Sequence, residues 1–426
     1  MLLAALATII LVHVWRIQDL FPILGTVQLP LLGTVVATLR FVYSGGLNRL
    51  QPLLRDPTMR WATLLLMLMV LGVPFSLYPG RTVSFLALEY SHTLLVMVLL
   101  AAGVRSFRDA ERLMLVFLAG AVLFAFVVLT RFELGEDGRL GDLVYYDAND
   151  LGMLMVIALP MAVYWLRAGA GVRGWHRLFA LGSLAFIAIT LARTGSRGAF
   201  LGLIGVAGFL FFRFSAVRPQ VRLLSLLGAF AILSIAGGAR YWEMMRTLLN
   251  PKSDYNWSGA SETGRMEVWK RGVGYMARRP IYGVGASCFG IAEGTISRQA
   301  AQQEVGIGFK WSAAHNSYVQ VGAEVGVGGL ISFLFMLGSA YRLMMPRRTS
   351  AAKRQAVVSS ERALSECLAG SLIGFMIAGF FLSQAYGPVL YVLLGLVIGL
   401  GKDGHRPHGV RRLKPLSTPL VPLAVG

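Results

Sequence analysis

Charged side chains are scarce in this sequence, and acidic ones are scarcer still. Only 14% of the 426 residues are charged, 56% are hydrophobic and the mean hydropathy is +0.63. A soluble domain with that balance would expose large apolar patches, so the chain reads as an integral membrane protein. Cysteine is nearly absent: Cys288 and Cys367 fall on opposite sides of the predicted membrane and cannot pair within one chain. That excludes a disulfide framework, and no Cys–His spacing of a metal site occurs. The Gly-x-x-x-x-Gly-Lys-Ser/Thr run of P-loop ATPases is missing. There is no internal repeat, no low-complexity linker and no independent soluble domain.

What is present is a series of apolar runs, each long enough to cross a hydrocarbon core of roughly 30 Å as a helix. They lie near 1–15, 20–43, 61–79, 85–104, 113–131, 149–167, 178–195, 198–216, 223–238, 314–344, 367–386 and 387–401. The expectation is an all-α polytopic membrane protein of about twelve transmembrane helices. The first run abuts Met1 without a basic leader or small-residue cleavage site, which predicts a retained helix rather than a cleaved signal peptide.

The net charge of +19 invites a nucleic-acid reading, but its distribution argues against one. Basic residues recur in alternate connections, as in Arg49, Arg55 and Arg60, then Arg105, Arg108 and Arg112, then Arg167, Arg173 and Arg177. They return after each later pair of runs and in the tail. The positive-inside rule places these connections, and both termini, in the cytoplasm. The predicted organisation is helices 1–9 over 1–238, a long outer loop over 239–313, helices 10–12 over 314–401 and a basic cytoplasmic tail over 402–426.

The 239–313 stretch is the only long hydrophilic segment, and it is itself net basic, which calls for an anionic partner. Within it Glu262–Arg279 has helical periodicity, with Ser261 or Thr263 as a cap. Pro280 ends that helix, and Gly283 and Gly285 supply a turn.

His315 is the leading candidate for chemistry. Of six histidines it alone joins the polar loop to the start of an apolar helix. A neutral imidazole there can accept a proton from an attacking hydroxyl, or simply cap the helix. Asn316 beside it either orients substrate or caps the same helix. Arg193 and Arg197, four residues apart, share one face if their segment is helical and flank a tight turn if Gly195–Ser196 breaks it. A guanidinium fork suits bidentate contact with phosphate, although an arginine at a membrane boundary can also snorkel. Arg265 either sits on a solvated face beside Glu262 or Glu267, or meets Arg197 and His315 where the loop folds back. Trp269 and Tyr318 are further candidates for positioning substrate. The acids Asp137, Asp142, Asp147 and Asp150 either bind a divalent cation or are solvated charge. The run Tyr145-Tyr146-Asp147-Ala148-Asn149-Asp150 ahead of a helix reads as an interface belt plus an N-cap, or as sugar contacts. No metal site is expected.

Three ordered segments together resemble the O-antigen ligase and polymerase superfamily of bacterial envelope glycosyltransferases. They are Thr194-Gly195-Ser196-Arg197-Gly198-Ala199; then Gly264-Arg265-Met266-Glu267-Val268-Trp269 with Arg279-Pro280-Ile281-Tyr282-Gly283-Val284-Gly285; and His315-Asn316-Ser317-Tyr318-Val319-Gln320 with Ala323-Glu324-Val325-Gly326-Val327-Gly328-Gly329. The resemblance spans roughly residues 190–335 and implies a GT-C-like helical fold acting at the periplasmic face of the bacterial inner membrane. It implies transfer of a glycan from an undecaprenyl-diphosphate donor to an acceptor. In the ligase branch that acceptor is lipid A–core oligosaccharide, and neither metal nor other cofactor is needed. It places the family's arginines on Arg197 or Arg193 and on Arg265, which would bind the diphosphate, and its histidine on His315, which would activate the acceptor hydroxyl. Polymerases extending the carrier-linked glycan share the chemistry. From another class, a lipid-linked oligosaccharide transporter would share the many-helix body. The sequence leaves glycan, linkage and oligomeric state open.

Overall fold

The computed structural model describes residues 1–16, 18, 21, 24, 28–132, 140, 147–167, 172–214, 217–250, 254, 256–257, 264–301, 311–345 and 360–403. Among them the chain is helical and contains no strand. The helices are α1 Leu2–Trp15, α2 Leu29–Tyr43, α3 Gly46–Leu53, α4 Pro57–Phe75, α5 Pro79–Gly103, α6 Phe107–Arg131 and α7 Ala148–Tyr164. They continue as α8 Gly174–Thr194, α9 Arg197–Arg213, α10 Pro219–Arg246, α11 Arg265–Arg278, α12 Phe289–Thr295 and α13 Arg298–Ala301. The last are α14 Ser317–Met344, α15 Ser360–Ala378 with a 3-10 turn Gly379–Phe381, and α16 Pro388–Asp403.

Helix occurs in each of the twelve predicted stretches, and among the described residues fewer than twelve helices meet the length and apolarity of a full span. Seven helices (α4, α5, α6, α8, α10, α14 and α15) are long and apolar enough to cross a bilayer, and the pair α2–α3, bent by 89°, raises this to eight. Helices α1, α7 and α16 are apolar but shorter. The chain is therefore a polytopic α-helical membrane protein. Predicted features on Asp137, Asp142, Tyr145, Tyr146, Ser261 and Thr263, and nearly all of the 402–426 tail, lie outside the described residues.

Helix α7 explains how a short helix persists here. Every one of its residues from Leu151 to Tyr164 is buried, so α7 is enclosed by protein rather than lipid. Glycines allow its neighbours to approach: a Cβ on Gly374 of α15 would lie 3.0 Å from Val156, and one on Gly202 of α9 would lie 3.1 Å from the same side chain. Small residues at such crossings are how membrane helices gain dispersion contacts that lipid cannot supply. Ser371 Oγ donates across the interface to the Ile157 carbonyl at 2.8 Å.

Two long helices are interrupted by glycine in conformations other residues avoid, Gly238 in α10 (φ 61°) and Gly326 in α14 (φ 78°). Across the first break α10 runs on to Arg246, past the predicted start of the loop at 239. The second break leaves backbone groups that lipid could not satisfy, and the turn after α11 satisfies them. Val284 N–H donates to the Ala323 carbonyl (2.8 Å), Gly285 N–H to Glu324 (3.0 Å), and Val327 N–H to Pro280 (2.8 Å). Pro280 does end α11, and Gly283 and Gly285 are left-handed as the turn requires (φ 63° and 104°).

A Cβ on Gly283 would sit 2.4 Å from the Glu324 carbonyl carbon, at a positive φ. Gly283→Ala should therefore destabilise the protein by about 1–3 kcal/mol. Gly274→Ala, in α11 with open space around it, should be neutral or stabilising by about 0.5–1 kcal/mol. Thermal unfolding of the two purified variants beside the unmodified protein checks the pair; equal melting temperatures would remove the clamp from this account.

Candidate active site

The charged candidates are set by where helices begin. Helices α7, α9, α11 and α14 all start at one end of the bundle, with Asp147, Ser196, Gly264 and Asn316 as their N-caps. Ser196 follows Gly195, whose left-handed backbone (φ 55°, ψ 22°) stops α8. The 193–199 segment is thus a tight turn and not a continuous helix. Arg193 stands exposed on the last turn of α8, and Arg197 opens α9. Asn316 Oδ1 accepts from the N–H groups of Tyr318 (2.9 Å) and Val319 (3.0 Å), so this buried side chain caps α14.

A non-helical segment between α15 and α16 joins these starts. Arg265 Nη1 donates to the Phe381 carbonyl at 3.3 Å, tying the first residue of α11 to it. Ser317 Oγ donates to the Leu382 carbonyl (2.7 Å) and accepts from Gln384 N–H (3.0 Å), tying α14. Gln384 Nε2 donates to Asp150 Oδ1 at 2.9 Å, tying α7. A Cβ on Gly198 would lie 2.8 Å from Phe381 Cβ, which puts the first turn of α9 against the same segment. Residues 379–387 therefore bring Arg197, Arg265 and His315 to one place. The helix expected over 367–386 ends instead at Ala378 and its 3-10 turn, where the polar pair Ser383-Gln384 and then Gly387-Pro388 mark the interruption.

His315 occupies a left-handed backbone conformation (φ 45°). For a residue other than glycine this costs about 1–3 kcal/mol and persists only where the surroundings impose it. Here they do. Its own N–H donates to Ser383 Oγ at 2.8 Å. On one side the Ala314 carbonyl accepts from Trp269 Nε1 at 3.0 Å, and on the other Asn316 is fixed as the cap. Trp269 belongs to α11, so the helix carrying Arg265 also fixes the peptide next to the histidine. Its indole meets Trp257 and Phe380 edge-on, with centroids 5.2 Å and 5.1 Å away. Tyr318 donates its hydroxyl to the Met376 carbonyl at 2.8 Å, which makes it a tie between α14 and α15.

Arg197 forms an ion pair with the buried Asp254 and donates to Thr247 Oγ1 at 3.0 Å. One guanidinium nitrogen, Nη1, thus serves both the carboxylate and the hydroxyl. Asp254 escaped the sequence reading because nothing local links it to an arginine far away in the chain. Glu267, a predicted partner of Arg265, instead takes Lys270 at 2.6 Å. Behind α11, Arg271 forms a forked contact with Glu293, whose carboxylate also accepts from the Tyr275 hydroxyl at 2.7 Å. Burial, with the Glu293 carboxylate added, holds the Tyr275 phenol well above its ordinary range, so it stays a donor.

Chemically, the four helix starts direct the positive ends of their dipoles toward this segment, alongside two arginines that do not lose their charge. That end of the bundle is therefore electropositive, and His315 lies on the same end. Among the described residues no group of three or more His, Cys, Asp or Glu side chains is placed to hold a metal ion. No curated protein matches the chain. A family model described as O-antigen ligase matches residues 182–334, from the middle of α8 to the middle of α14, and contains Arg193, Arg197, Arg265 and His315. Over that stretch the chain is similar to the O-antigen ligase family.

Proposed function

We propose that this protein is an O-antigen ligase of the inner membrane, with both termini cytoplasmic and a GT-C-like helical body. It transfers a glycan from undecaprenyl diphosphate to lipid A–core oligosaccharide at the periplasmic face. The observation that carries this reading is the gathering of Arg197, Arg265 and His315 around residues 379–384, inside and beside the matched stretch.

In the proposed reaction the donor's diphosphate lies on Arg265 and Arg197, with Arg193 at the rim. An acceptor hydroxyl attacks the anomeric carbon from the side opposite the diphosphate. The new C–O bond forms as the bond to the diphosphate oxygen breaks, and the anomeric centre inverts. The hydroxyl proton passes to the His315 imidazole, and the electron pair leaves with the diphosphate, whose growing charge the guanidinium groups stabilise. Trp269 acts as a positioning residue through Ala314, and no metal takes part.

The test is a reconstituted assay with undecaprenyl-diphosphate glycan, with and without lipid A–core, in excess EDTA. Product on lipid A–core should form undiminished by EDTA, and His315→Ala should lower turnover by about 10²-fold or more. Lengthened glycan on the carrier without lipid A–core would replace the ligase by a polymerase; no covalent product from an active donor would favour a transporter.

Arg265→Lys keeps the charge and loses the fork, so kcat/KM should fall by about tenfold or more. Full activity in that variant would remove bidentate phosphate binding at Arg265. Trp269→Phe keeps the aromatic packing and loses the bond to Ala314. It should lower kcat several-fold with little change in KM for the donor, readable in the same assay.

A further inference from the structure

At the end of the bundle remote from His315 lies a cavity of about 1250 Å³ that the proposed transfer does not use. Helix α14 runs from Ser317 at the candidate active site to Arg342 in the cavity wall, and α4 runs the opposite way from Pro57 in the wall. The far end of α4 reaches the active-site loop, where Phe75 stacks on Tyr282 at 4.2 Å.

Four arginines line the cavity: Arg49, Arg55, Arg105 and Arg342. The one carboxylate in the lining, Asp56, is engaged as the N-cap of α4, accepting from Thr58 N–H (2.9 Å) and Met59 N–H (3.2 Å). Among the described residues none of the four arginines forms an ion pair. Arg49 Nη2 donates to the Ser44 carbonyl at 2.9 Å, but its Nη1 is buried with no hydrogen-bond partner among the described residues. Arg105 lies close enough to Arg49 for the two charges to repel. A buried, unmatched guanidinium donor beside a second positive charge is costly unless an anion joins it.

Much of the rest of the wall is apolar, with Trp61, Val104, Leu334, Phe335 and Leu343. Trp61 stacks on Phe335 (centroids 4.9 Å apart, 22°), and Phe335 and Leu334 are 50% and 47% exposed. The volume exceeds the roughly 300–1,000 Å³ of ordinary small-molecule pockets and far exceeds a phosphate ion. The 89° bend between α2 and α3 brings Arg49 to this face.

We infer that this cavity binds an anionic phospholipid, its phosphate on Arg49 and Arg105 and its acyl chains along Trp61, Leu334 and Phe335. The site lies at the opposite end of α14 from the transfer chemistry and does not depend on it. A guanidinium pair accepts the phosphate oxygens, and aromatic side chains at the polar–apolar boundary hold the chains.

The full-length protein, purified in detergent, would be examined by native mass spectrometry and thermal unfolding. Dioleoyl-phosphatidylglycerol, dioleoyl-phosphatidylcholine and inorganic phosphate would be added separately at equal concentration. Phosphatidylglycerol should be retained as a discrete adduct and raise the melting temperature by several degrees, and the other two should do neither. Arg49→Gln with Arg105→Gln should reduce retention tenfold or more, whereas Arg108→Gln, at the same end but outside the cavity, should retain it. Gly338→Trp keeps every arginine and fills the cavity from a position with open space around it; it should also lose the adduct, which covers the case of a double variant that fails to fold. Equal retention of the zwitterionic lipid, an equal shift with inorganic phosphate alone, or undiminished binding in Gly338→Trp would overturn the inference.

Discussion

Backbone that leaves a helix inside a membrane protein must find its hydrogen bonds within the protein, and residues 379–387 meet that demand with side chains from elsewhere. The Phe381 carbonyl takes Arg265, the Leu382 carbonyl takes Ser317, and the Gln384 N–H finds Ser317 again. Each donor or acceptor sits at or near a helix start. Satisfying one broken segment therefore brings α11 and α14 to a common point, and packing on Gly198 adds α9. The positive helix ends and the two arginines are gathered as a by-product of that accounting. The break adds to the ties that α11 already makes with α14, through Trp269 on the Ala314 carbonyl and the turn at 283–285 on Ala323 and Glu324.

The histidine shows the same logic at smaller scale. A left-handed φ is unfavourable for it, yet its own N–H and the carbonyl before it are each committed to a partner from another element. The strain is thus borne by two bonds from α11 and the 379–387 segment. Movement of α11 would therefore reach the His315 backbone and Arg265 together.

Much of this was legible in the sequence, because apolar length, proline and glycine act locally. The helical stretches, the stop at Pro280, the left-handed Gly283 and Gly285, and the helix beginning just after His315 all follow from nearest neighbours along the chain. The choice between a helix and a turn at 193–197 needed the backbone of Gly195. The 379–387 break was hidden because Phe380, Phe381 and Leu382 read as more membrane helix. The Arg197–Asp254 pair joins residues distant in sequence, and its partner choice rests on tertiary packing that no local pattern encodes. Enclosure by protein, as for α7, produces an apolar stretch just as lipid does, so apolar runs alone do not fix the number of spans.

The scaffold of the site also has a consequence for dissection. Arg193, Arg197, Arg265 and His315 lie within 182–334, but Ser383, Phe381 and Gln384 come from the α15–α16 connection and Asp150 from α7. A fragment cut to the family-matched stretch would keep every charged candidate and lose what holds them in register. The same holds for transplantation: residues 182–334 moved into another helical body would keep Arg265 and Ser317 in place only if that body supplied an interrupted helix with carbonyls to accept from them.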